Sequence, residues 1–352
     1  MLMRGGTSKG AYFLAEDLPR DPEERDDLLI RIMGSGDPRQ IDGIGGAHPL
    51  TSKVAVISRP ADGDDDEADV DYLFLQLGVD EATVSGQQNC GNLLAGVGPF
   101  AVERGLVPAG PEQTTARIRM VNSASLATAR FPTPGGAPDY DGDTAISGVP
   151  GTAAAIVLDF AATEGSATGS LLPTGHRRDE IDGVEVTCVD NGMPVVVARA
   201  ADLGLTGYES HTELEADQAL AGRIQSLRVQ AGKLMGLGDV TATSIPKTTL
   251  VAAPRDGGTI CTRTFIPVRP HTAIGVLGAV SVVTALALPG TVGAELAGRP
   301  AGARYDVEHP TGHLAVEAEI DTSGGVPRVR RSGVVRTARK LFDGTVFPQS
   351  PR

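Results

Sequence analysis

The stretch Asn89-Cys-Gly-Asn-Leu-Leu-Ala-Gly-Val-Gly-Pro-Phe-Ala-Val102 decides the fold. From Leu93 onward it has no charged residue and no polar face. A helix of that kind must be enclosed on all sides. Its residues are mostly small, so whatever encloses it can pack close. A second stretch, Ile274 to Leu288, has the same character and follows Arg269-Pro-His-Thr272. At well under the roughly 20 apolar residues that span a bilayer, it reads as another buried helix. Polar residues before each could cap its start.

Short alternating segments of strand type surround both helices. Residues 53–57, 72–77 and 116–121 lie around the first, and 184–189, 194–198, 250–253 and 314–320 around the second. Alternation of this kind predicts half-buried strands. The order is strands, one buried helix, strands, and it occurs twice. An internal duplication follows, with two α+β halves that each wrap a sheet around a central helix. The expected break is near Gly148-Val-Pro-Gly-Thr152, giving halves 1–152 and 153–352, with the last segment a candidate to return to the first half. Amphipathic helices are expected over 23–33 and 213–235.

The chain has 352 residues, 41% hydrophobic, with 45 glycines, no Trp and a net charge of −13. The length suits two domains. The acidity excludes a general nucleic-acid binder, which needs Lys and Arg to neutralise phosphates. It does not exclude a small anionic ligand, which needs only a few local cations. The acidic run Asp62 to Glu67 reads as a solvated loop between strands. The three cysteines, Cys90, Cys188 and Cys261, lack CxxC spacing and form no zinc or disulfide pattern. His309 and His313 stand at i, i+4, but the pair spans Pro310 and Gly312, which disfavour a helix. The other histidines lack metal-ligand spacing, so no metal is expected, and no cofactor is expected either. No apolar stretch precedes Arg4, so no signal peptide is expected and the reading is of a cytoplasmic protein.

Cys90 stands at the expected start of the first buried helix. Free N–H groups and the positive end of the helix dipole stabilise a thiolate there and bind anions; most free cysteines, however, are simply small buried hydrophobes. Cys188 and Cys261 fall within strand-like runs and read as core. Lys53 stands at the mouth of a strand, behind the glycine-rich run Asp42 to Gly46. Desolvation disfavours a charged amine and makes it a usable base, although the common fate of a lysine is the surface. The opening Met3-Arg-Gly-Gly-Thr-Ser-Lys-Gly10 could hold an anion or form an ordinary turn. It lacks P-loop spacing, and Gly34–Gly46 lacks the dinucleotide fingerprint.

The motifs Met3–Gly10, Gln40-Ile-Asp-Gly-Ile-Gly-Gly46, Thr51-Ser-Lys-Val54, Asn89–Asn92, Pro99–Glu103, Gly148–Thr152, Leu171-Leu-Pro-Thr-Gly175, Met235–Asp239 and Pro246-Lys247 occur in order. Together they resemble the PrpF family of 2-methylaconitate cis-trans isomerases and 4-oxalomesaconate tautomerases, from about residue 3 to about residue 345. The resemblance implies a diaminopimelate-epimerase-like fold, with the active-site cleft between two similar halves. Epimerases of that fold use one cysteine from each half, but the second helix start here, Thr272 to Gly278, has none. The resemblance therefore implies Lys53 as base, with Cys90 as acid or orienting group. Arg4, Thr7 and Ser8 would grip a substrate carboxylate. Ser52, Asn89, Gly91, Asn92, Lys247, His271 and Thr272 are further binding candidates. The expected partner is a small unsaturated di- or tricarboxylate, most of all 4-oxalomesaconate, with a second copy of the chain as a candidate partner. Three alternatives stay open: a 2-methylaconitate isomerase, an amino-acid racemase or epimerase, and a non-catalytic polyacid binder.

Overall fold

The computed structural model describes residues 1–60, 67–86, 90–160, 163–241, 243–324 and 327–351. The acidic run from Asp62 therefore falls almost wholly outside the described residues. The chain forms two compact units, Met1–Ala161 with Arg336–Arg352, and Ala162–Val335.

In the first unit the strands are β1 (Leu2–Gly5), β2 (Ser8–Leu14), β3 (Lys53–Ser58), β4 (Val70–Leu77), β5 (Val84–Ser85), β6 (Gln113–Met120), β7 (Ser125–Pro132) and β8 (Ala155–Phe160). Helix α1 (Pro22–Met33) lies between β2 and β3, and α2 (Gly91–Glu103) between β5 and β6. Pairing runs β1–β2 antiparallel, β2–β3 parallel, β3–β4 antiparallel, β4–β6 parallel, then β6–β7 and β7–β8 antiparallel. The short β5 adds to β4.

The second unit repeats this scheme. Its strands are β9 (Asp179–Ile181), β10 (Val184–Asp190), β11 (Pro194–Arg199), β12 (Lys247–Ala252), β13 (Ile260–Ile266), β14 (Arg269–Pro270), β15 (Arg304–His309), β16 (Gly312–Asp321) and the start of β17 (Arg328–Phe342). Helices α3 (His211–Ala216) and α4 (Gln218–Leu234) lie between β11 and β12, and α5 (Val276–Ala287) between β14 and β15. From β10 to β17 the order of antiparallel and parallel pairs is that of β1 to β8. The duplication expected from the sequence is thus written in the hydrogen-bond ladders, with β3 matched by β12 and α2 by α5. The first unit extends past residue 152, because β8 pairs with β7, and the end of β17 pairs with β1.

The expected helix over 213–235 is two helices. Asp217 has an extended backbone, and its carboxylate accepts the Leu220 N–H, capping α4 and stopping α3.

Strands such as β3 in the first unit and β11 and β13 in the second are buried on both faces, whereas β6 alternates buried and exposed residues. On one face of the first unit Leu29, Ile32 and Met33 of α1 meet Ala11, Val54, Val56, Leu75 and Leu77. In the second, Leu220, Ile224, Leu227 and Ala231 of α4 meet Val186, Cys188, Val196, Ala198 and Leu250. The opposite face of the first unit receives α2, which contacts β1, β2, β3, β4, β6, β7 and β8. Every residue from Leu93 to Ala101 is buried.

Glycines permit that closeness. A Cβ at Gly96 would stand 2.5 Å from the Tyr12 hydroxyl oxygen. Tyr12 is fully buried, and its hydroxyl donates to Leu93 O at 2.6 Å, so it cannot retreat without losing that bond. Gly96→Ala should therefore destabilise the protein by about 1–3 kcal/mol, although alanine is the better helix former by about 1 kcal/mol. Denaturant melts will check the sign. Tyr12→Phe in the same chain should recover part of the loss, and strict additivity would refute the steric account.

Candidate active site

Strand alternation places the site. In β3, Val54 and Val56 face α1, so Lys53, Ala55 and Ile57 face α2. Lys53 is the first residue of β3 and only 8% exposed. Its Nζ lies 3.2 Å from Ser8 Oγ and 3.5 Å from Cys90 Sγ, and 5.7 Å from the centre of the Phe74 ring.

Cys90 is the residue before α2 and is 7% exposed. Its carbonyl accepts from Leu94 N at 3.1 Å and from the buried Tyr72 hydroxyl at 3.2 Å. The first-turn N–H groups of the helix, beginning with Gly91, have no intrahelical acceptor. An amine, a thiol and a hydroxyl thus meet at the positive end of an enclosed helix.

The opening motif is a hairpin, with Arg4 opposite Lys9 and Gly5 opposite Ser8. It presses on the start of α2, where a Cβ at Gly5 would lie 2.5 Å from Asn92 O. Asn92 Nδ2 donates to Thr7 Oγ1 at 3.1 Å, and Thr7 N donates to Asn92 Oδ1 at 3.4 Å. Arg4 Nη1 donates to Gly6 O, Thr337 O and Thr337 Oγ1 at 2.9–3.0 Å. These acceptors are all uncharged, and burial, then the nearby Arg339, pulls the Arg4 pKa below its usual value.

The structure therefore gathers Ser8, Lys53 and Cys90, and places Thr7, Gly91 and Asn92 at the same helix start. Ser52 is fully buried and its hydroxyl donates to Gln40 Oε1 at 2.6 Å, which gives it to the scaffold. Asn89 lies outside the described residues. Cys188 and Cys261 are buried, and burial, with Asp179 adding to it, pushes the Cys188 thiol up to about 12. Tyr12, Tyr72 and Phe74, which enclose the centre, were not picked out in the sequence. Their alternation in β2 and β4 is the signal that finds them.

In the second unit Lys247 begins β12, as Lys53 begins β3. Gly275 precedes α5, where Cys90 precedes α2. A Cβ at Gly275 would lie 3.5 Å from Lys247 Nζ. The second unit thus keeps the lysine and has no sulfur there. Lys247 is held below its usual pKa by desolvation. His271 is also lowered, by burial and then by the charge of Lys247. Its Nδ1 accepts from Ala273 N at 2.8 Å. Thr272 is exposed, and its carbonyl accepts from Thr311 Oγ1 at 2.9 Å. Among the described residues no group of three or more His, Cys, Asp or Glu could hold a metal ion, and no helix is long and apolar enough to cross a membrane.

Fold and site place an amine beside a thiol at the start of an enclosed helix, and comparison with known proteins supplies the class. The sequence pattern described as PrpF protein matches residues 1–349. The chain belongs to the PrpF family and is an isomerase. It is 55% identical to the (4E)-oxalomesaconate Delta-isomerase of Novosphingobium sp. strain KA1, over 99% of this chain and 96% of that protein. It is 56% identical to the 4-oxalomesaconate tautomerase of Pseudomonas putida KT2440, over 98% and 94%. The crystal structure of a methylitaconate-delta-isomerase superposes with a TM-score of 0.86 at 31% identity, covering 97% of this chain and 93% of that one.

A lowered histidine contributes stability above its unfolded pKa of about 6.5 that is lost as pH falls through the folded value. An NMR titration of His271 should accordingly give a midpoint below that value. Lys247→Met should raise the midpoint part of the way back, since burial is the larger cause. An unchanged midpoint would show that the lysine charge does not reach the ring.

Proposed function

We propose that this protein is a 4-oxalomesaconate tautomerase that moves a proton and a double bond without metal or cofactor. One observation carries the reading: the 3.5 Å approach of Lys53 Nζ to Cys90 Sγ at the start of an enclosed helix. The names of the two relatives above half identity support the substrate.

The chemistry follows from the groups. The Lys53 lone pair takes a proton from the carbon next to the unsaturation. The C–H electron pair becomes the new π bond, and the old π pair shifts toward the conjugated carbonyl or carboxylate. The resulting enolate-like anion is stabilised by donors already in place, namely the first-turn N–H groups of α2 and the Ser8 hydroxyl. Return of a proton two atoms away, from the Cys90 thiol or from Lys53 on the same face, completes the shift. In the thiol route the Lys53 ammonium then passes its proton to the Cys90 thiolate 3.5 Å away, which restores both groups. Arg4 and Thr7 are proposed as a carboxylate grip, with Asn92 orienting Thr7.

Gly275 in the place corresponding to Cys90 argues against two-thiol racemisation. A non-catalytic binder would not need Lys53 once the anion grips were in place.

Lys53→Ala should lower kcat by about 10²–10⁴-fold, the usual worth of a general base, with an unchanged melting temperature. Turnover would be followed by ultraviolet absorbance with 4-oxalomesaconate beside 2-methylaconitate and related tricarboxylates. Retained turnover removes Lys53 from the role, and a faster reaction with 2-methylaconitate replaces the substrate. Cys90→Ala should cost about 10²-fold if the thiol returns the proton; a loss below threefold would leave it lining an anion hole.

A further inference from the structure

We propose that Gln40 is a positioning residue for Lys53, acting with Gln76 as a two-sided clamp on Ser52. The inference rests on the reading of Lys53 as base and extends it to the residues that aim the amine.

Gln40 follows the turn after α1 and is 2% exposed. Its Oε1 accepts from Ala47 N at 2.8 Å and from Ser52 Oγ at 2.6 Å. One side-chain oxygen thus closes the loop over residues 40–47 and holds the residue before Lys53. From the other side Gln76, directly opposite Lys53 in the β3–β4 ladder, donates from Nε2 to Ser52 O at 3.0 Å and Pro49 O at 3.1 Å. Leu77 N also donates to Ser52 O at 3.0 Å. Ser52 is held at both hydroxyl and carbonyl, so the backbone entering Lys53 has little freedom.

Gln40 keeps this place at a cost. Its φ is +44°, unusual for a residue other than glycine. Its Nε2 is buried and has no hydrogen-bond partner, which is also unfavourable. A Cβ at Gly45 would come within 2.3 Å of the amide oxygen, so the loop is shaped around this side chain. Such features persist where the surroundings over-determine them, and they cluster at functional sites. The glutamine acts here only as an acceptor.

The second unit pins the corresponding segment by other means. Arg228, fully buried on α4, donates to Thr243 O at 3.2 Å and Ile245 O at 3.0 Å, just before Lys247. Different residues thus fix the approach to each lysine-led strand. The shared feature is a rigid entry rather than a particular loop.

Gln40→Met removes the acceptor at similar length. It should lower kcat per folded molecule at least tenfold, toward the roughly hundredfold that a 1 Å misplacement costs, with KM within twofold of the parent. Gln40→Glu keeps an acceptor for both bonds and should recover most of kcat. Ser52→Ala, a smaller change, should show the same kcat-specific loss. Crystals of Gln40→Met should show Lys53 Nζ displaced from Ser8 Oγ or Cys90 Sγ. Wild-type kcat in Gln40→Met and Ser52→Ala, equal impairment of the Met and Glu variants, or an unmoved Lys53 would each overturn the proposal. The crystallographic displacement does not depend on turnover, so an active Lys53→Ala would defeat the base assignment and leave the clamp tested on its own.

Discussion

The fold of the first unit depends on one constraint: α2 has no face that water can accept. Residues Leu93 to Ala101 are all buried, and a helix without a polar stripe is stable only when something surrounds it. The surrounding strands can come close because the helix is rich in small residues, and Tyr12 bonds its backbone directly at Leu93 O. Enclosure by strands then leaves the N-terminal turn as the place where unpaired N–H groups meet other chemistry. The fold and the meeting of Lys53 with Cys90 are therefore consequences of the same burial.

The centre itself is built by register. The parallel pairing of β2 with β3 sets Gly10 beside Lys53, and alternation turns Ser8 and Lys53 to the α2 side. The amine reaches the thiol because both are anchored in hydrogen-bonded frames, Lys53 in the β3–β4 ladder and Cys90 through Tyr72 and Leu94. The centre brings together an amine, a thiol and a hydroxyl beside the first-turn N–H groups of α2.

Much of this was legible in the sequence. The two apolar runs gave both enclosed helices, and the strands around them gave the duplication. Lys53 and Cys90 stood out because each borders a fully buried element. The first two strands were harder to read, since Met3 to Gly10 is dominated by glycine and polar residues whose strand character comes from pairing rather than propensity. Asp217 leaves no boundary signal in the sequence, because a cap inside a continuous amphipathic pattern looks like one more polar position. The Thr-Ser-Lys pattern alone offers Ser52 as a ligand group, whereas in the fold its hydroxyl is spent on Gln40. Side-chain partnerships between residues far apart in the chain leave no periodic trace.

The glycine before α5 has a wider meaning. When a fold is doubled, each half inherits the same scaffold, yet the two copies need not keep the same side chains on it. The later half kept its amine at the head of β12 and its helix, while a side chain small enough to leave room stands where the thiol would be. Repetition of this kind lets a protein furnish twin frames differently, one with an amine and a thiol and the other with an amine and open space.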